Sequence, residues 1–194
     1  MTVLNNSEIK KRLKADDKLV ISPLLDEEQI GPASIDLRVG TEFKVMINSR
    51  QPVFGVIDRE IDSFYQTTHR NFGEDLHIYP NQQVLADTFE YIRLPPNCFA
   101  QLFTRSSLQR IGLSTASIIQ PGYTGTLTVP LENKGNTPIV IKSGMRLFQL
   151  IIYDLTSGDV SYIDPSSKYV GNTSPVISSI NEDRDLEKLK KFTL

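Results

Sequence analysis

The chain is poor in the residues that most often carry chemistry. It has one cysteine, Cys98, and two histidines, His69 and His77. An intrachain disulfide is excluded, and a Cys/His zinc site cannot be assembled, so no zinc is expected. Neither histidine has a carboxylate or cysteine at ligand spacing, so both read as surface or core-edge residues. Charge of one sign is also scarce as a block. Twenty-one Lys and Arg face 23 Asp and Glu, for a net charge of −2, and the basic residues are scattered. That pattern offers no nucleic-acid surface. No apolar run approaches the length needed to span a bilayer, and the opening MTVLNNSEIKKRL lacks an apolar signal core. A soluble, cytoplasmic protein with no membrane partner is the expectation.

What is present is enough apolar residue for a single core. With 194 residues and 39% hydrophobic content, one domain spanning 1–194 is expected. Leu4 to Leu13 reads as a short helix, with Asn5 as N-cap, Glu8 three residues later, and Ile9 and Leu13 on one face. From there β patterning dominates. Ser34 to Val39 alternates polar and apolar between Gly31 and Gly40. Strand pieces follow at Phe43–Met46 and Val53–Ile57. After them come Val84–Ala86, Phe89–Leu94 and Phe99–Phe103, divided by Pro, Gly and Asn turns. Pro138–Lys142 and the nearly continuous apolar Met145–Tyr153 add two more. Short strands at such spacing predict a β-barrel or jelly roll. The charge-dense Asn181–Lys191 predicts a short C-terminal helix.

One stretch organises the rest: RSSLQRIGLSTASIIQPGYTGTLTVPLENKG, from Arg105 to Gly135. Arg105 brings a rigid array of N–H donors, and Ser106 and Ser107 add hydroxyl donors without charge. This grouping suits phosphate oxygens. Taken alone it suits equally a capped helix with a surface ion pair.

The order RSSLxRxGL then PGYxGxLTxxLxN, with GPASIDLRVG upstream and SKYVGN downstream, resembles the dCTP deaminase branch of the dCTP deaminase/dUTPase superfamily. The resemblance implies a distorted jelly roll and a homotrimer with nucleotide sites between subunits. It implies a deoxypyrimidine triphosphate ligand (dCTP, or dUTP or dTTP) accompanied by magnesium. Arg105, Ser106 and Ser107 match phosphate-holding residues, Arg110 matches a contributor to the catalytic centre, and Asp36 matches a residue near the triphosphate and its metal. Tyr162, Lys168 and Asn172 match a tail, from about residue 165, that folds over the triphosphate as a mobile lid. The family usually has Gln where this chain has Asn172. Gly171 is expected to keep that loop flexible.

The match breaks where water is activated. Family deamination uses a glutamate five residues beyond the second glycine of the turn. Counting from Gly125 gives Pro130, which has neither an ionisable group nor an N–H. The sister activity, dUTP hydrolysis, uses an aspartate just before the turn, and here that position is Gln120. Leu113 takes the place of a family histidine. Glu132 is the one nearby acid, two residues past Pro130 and on the same strand face, about 7 Å along. A bulge at Pro130 would slide it toward the pocket; without one it is a polar strand end. Three readings follow. The first is a nucleotide binder with lost or weakened deaminase chemistry. The second is an active deaminase or dUTPase working through Glu132, or through Asp36 and magnesium. The third is a non-enzymatic sensor or interaction module.

Overall fold

The computed structural model describes residues 1–15, 19–47, 61–155 and 171–180. The sequence-predicted strand at Val53–Ile57 and the helix at Asn181–Lys191 lie outside these residues. In chain order the elements are β1 (Thr2–Val3), α1 (Asn6–Lys14), β2 (Val20–Ser22), β3 (Ile35–Met46) and β4 (Tyr65–His69). Then follow β5 (Asp75–Ile78), β6 (Gln83–Thr88), β7 (Tyr91–Arg93), β8 (Cys98–Thr104) and α2 (Ser106–Gln109). Last come β9 (Leu113–Ser114), β10 (Ala116–Ile119), β11 (Thr124–Gly125), β12 (Thr128–Asn133), β13 (Ile139–Lys142) and β14 (Arg146–Asp154). The mainly β expectation holds.

Seven strands run β10-β8-β14-β3-β6-β12-β9, with β1 added to β14 and β4 added to β3. Smaller sheets, β11-β7-β2 and β13-β5, complete the shell. β14 is central to its sheet, flanked on both sides, by β8 and by β3. Its Leu147, Phe148, Leu150 and Ile152 are fully buried, together with Leu102 of β8 and Leu37 of β3. Strand β8 alternates strictly, Cys98, Ala100, Leu102 and Thr104 pointing inward, as period-two packing requires.

α1 begins as its sequence dictates. The Asn5 side chain accepts from Glu8 N at 3.0 Å, satisfying a donor that the first turn leaves open. Its Arg12 donates to Asp154 Oδ2 at 2.7 Å and to Glu8 Oε1 at 3.2 Å, pinning the helix to the end of β14.

β3 differs from its sequence reading. Gly40 does not end the strand; β3 continues through it to Met46, with a register shift against β6 between Val39 and Phe43. The reason is steric. A Cβ at Gly40 would lie 2.1 Å from Asp87 Oδ1, so the glycine makes room for a buried carboxyl from β6. Beside it, Gln29 and Glu90 are both fully buried, joined at 2.9 Å, and Glu90 also accepts from Arg38 N at 2.8 Å. This pair locks the loop before β3 against the strand that carries Asp36.

Candidate functional site

A cavity of about 450 Å³ opens beside β10 and β12. One side is a cross-strand pair, Leu85 of β6 opposite Pro130 of β12. β10 lines it too, from Ser117 to Ile119, followed by Gln120. Tyr123 stands at the turn, its hydroxyl donating to Thr126 O at 2.6 Å. Tyr65 of β4 adds a second phenol, its pKa raised by burial. Val176, Ile177 and Ser178 form the remaining wall. None of the described lining residues is charged.

Two of the positions singled out from the sequence therefore meet here. Gln120 presents an amide to the cavity and Pro130 a hydrocarbon ring. No bulge accompanies the proline. The β12–β6 register runs without a shift from Thr128↔Asp87 through Pro130↔Leu85 to Glu132↔Gln83. β9 matches only Glu132 and Asn133, so the other edge of β12 is unpaired at Pro130 among the described strands. That is where a residue without an N–H is tolerated. Glu132 stays at the strand end, exposed, with Lys134 Nζ 3.4 Å from its Oε2, and does not line the cavity. Leu113 is fully buried in the core.

The phosphate-type residues lie elsewhere on the chain. Arg105 leaves the end of β8 as the N-cap of α2, its backbone N–H donating to Leu147 O at 2.9 Å. Ser106 and Ser107 in the first turn of α2, and Arg110 at its end, are exposed. Arg105 Nε sits 3.3 Å from Asp36 Oδ2. Burial pushes the Asp36 carboxyl above its usual range, while Arg105 and then Arg146 pull it down. Arg146 was not singled out from the sequence; only the pairing of β14 with β3 brings it near Asp36. Asp36 is thus ion-paired with Arg105 through one of its two oxygens. Among the described residues, no group of three or more His, Cys, Asp or Glu stands ready for a metal ion. Arg105, Ser106, Ser107 and Arg110 do not line the cavity of their own chain. Asn172 lies beside it, its carbonyl accepting from Thr126 N at 2.8 Å. Tyr162 and Lys168 lie outside the described residues. Sequence reasoning missed Tyr65, Gln83 and Val176–Ser178 as lining residues, because only folding brings these distant segments to one cleft.

Residues 3–155 match the family model described as dCTP deaminase-like. The chain belongs to the dCTP deaminase-like family. It is 35% identical to a dUMP-forming dCTP deaminase of Methanobrevibacter smithii, over 97% of this chain and the whole of that protein. It is 37% identical to a dCTP deaminase of Natronomonas pharaonis, over 94% of this chain and 97% of that one. The crystal structure of the 2'-deoxycytidine 5'-triphosphate deaminase from Agrobacterium tumefaciens superposes with a TM-score of 0.60 at 27% identity, covering 78% of this chain and 47% of that one. The superfamily resemblance and its mainly β architecture are thus established. No helix among the described residues is long and apolar enough to cross a membrane.

Proposed function

We propose that this member of the dCTP deaminase-like family binds a deoxypyrimidine nucleoside triphosphate and has lost or much reduced deaminase turnover. One observation carries the reading: the cavity is lined at Gln120 and Pro130 by groups that cannot exchange a proton, and Glu132, two residues along the strand from Pro130, is outside it. Loss of a positioned acid/base costs roughly two to four orders of magnitude in rate. The cavity is uncharged and suits a base. The triphosphate needs cations, and Arg105 and Arg110, with Ser106 and Ser107, provide them from outside the cavity lining. A copy of the chain placing these residues against the cavity completes the site, in keeping with the homotrimer that the resemblance implies. Lys168, Tyr162 and Asn172 are the proposed tail contacts. Magnesium then enters with the triphosphate, with Asp36 holding Arg105 in place.

The relatives' names favour a second reading, an active enzyme turning dCTP into dUTP or dUMP. A panel of dCTP, dUTP and dTTP with magnesium separates the two, with ammonia, monophosphate and pyrophosphate measured. The first reading expects a rise in melting temperature with nucleotide, since ligand bound to the folded state stabilises it, and product at or near background. Ammonia from dCTP at ordinary enzyme rates, abolished by Glu132→Gln, would overturn it. No thermal response to any of the three would favour a non-nucleotide role instead.

A further inference from the structure

Late in the sequence the chain returns to its own cavity and is fastened there. Gly171 N–H donates to Thr124 O at 2.7 Å. The Asn172 carbonyl accepts from Thr126 N at 2.8 Å and from Thr126 Oγ1 at 3.2 Å. Val176 N–H donates to Thr128 Oγ1 at 3.0 Å. Pro175 is buried. Gly125 has φ +136, and a Cβ there would come within 2.8 Å of Asn172 O, so the backbone at that point is shaped to receive the segment.

We propose that residues 171–178 are a self-seated wall of the cavity, in place before a ligand enters, and that Val176 and Ile177 set how tightly an uncharged ring is held. The inference rests on the cavity being the base site. It differs from a lid that closes only around a bound triphosphate. The wall and the Leu85–Pro130 pair line the same cavity, so a ring seated there meets apolar groups from both. Its hydrogen-bonding edge is left to Ser117 and Gln120 on β10.

Residue-resolved amide exchange on the full chain, with and without dCTP, dUTP and dTTP, tests the seat. Thr126, Gly171 and Val176 are expected to exchange at least about tenfold more slowly than open chain in the protein alone. Thr128→Val removes the acceptor of Val176 and is expected to speed that amide about twofold to tenfold, leaving Gly171 slow. Ile177→Asn is expected to weaken whichever nucleotide binds by about tenfold, from loss of part of the apolar contact that the half-buried Ile177 offers a bound ring. Open-chain exchange across 171–178 that slows only after nucleotide is added would overturn the proposal, as would unchanged affinity in Ile177→Asn. Slow exchange in a protein that binds none of the three nucleotides would uphold the seated wall and overturn the nucleotide reading alone.

Discussion

Asp87 sits only 7% exposed on β6, with Oδ1 unbonded among the described residues. Burial pushes its pKa up to about 7, with Glu42 adding a smaller upward push. The folded state therefore favours the protonated form. Its contribution to stability is full below the unfolded value near 4 and is lost as pH rises toward 7. Asp87→Asn is expected to raise the melting temperature at pH 8 and to change little at pH 4, flattening the pH profile. The displacement from 3.8 to about 7 caps the gain at roughly 4 kcal/mol. A pH series of thermal melts checks this. Gly40→Ala, which forces a methyl group onto that carboxyl, is expected to cost roughly 1–3 kcal/mol in denaturant unfolding. Pro130 is the other telling residue. Pro130→Glu with Gln120→Asp returns two carboxylates to the cavity, and ammonia release from dCTP is expected to rise by about a hundredfold or more over the parent. A coupled ammonia assay reads it, and a flat result would count against missing carboxylates as the cause of low turnover.

Among the elements, α1 and α2 were legible because their signals are local. Asn5 caps three residues ahead, and the RSS corner turns where Thr104 ends its strand. Most strands were legible as alternation between turn residues. β3 was not, since Gly40 looks like a terminator until Asp87 is seen filling the space where a side chain would stand. Gln120 and Pro130 were singled out by counting along the motif, and both line the cavity. The wall at Val176–Ser178 was not, because nothing local joins residue 176 to Thr128. Arg105 illustrates what an element's end can do: the close of β8 aims its guanidinium at Asp36 while α2 lifts two hydroxyls beside it. Arg105→Lys keeps the charge and loses the planar fork, so triphosphate affinity is expected to drop about tenfold in a calorimetric titration, with the melting temperature of the free protein little changed.

For the whole molecule, the decisive feature is that the RSS corner does not line the cavity of its own chain. If copies share sites, the mass in solution is three times 21.9 kDa, about 66 kDa, by light scattering. An Arg105→Ala protein mixed with an Ile177→Asn protein, unfolded and refolded together, is then expected to regain part of the binding that each lacks alone. No regain, with both variants folded, would place cavity and cations in one chain.

The sheet order has a consequence for synthesis. β14 is the common neighbour of β1, β3 and β8 and the last strand of the described sheet to be made. A nascent chain halted before Arg146 has its most apolar surface uncovered and a gap where that neighbour belongs. Such long-range pairing is slow and leaves an aggregation-prone interval. Ribosome-bound chains ending just before Arg146 are expected to be cut readily by protease and held by chaperones, while those with Asp154 clear of the exit tunnel resist both.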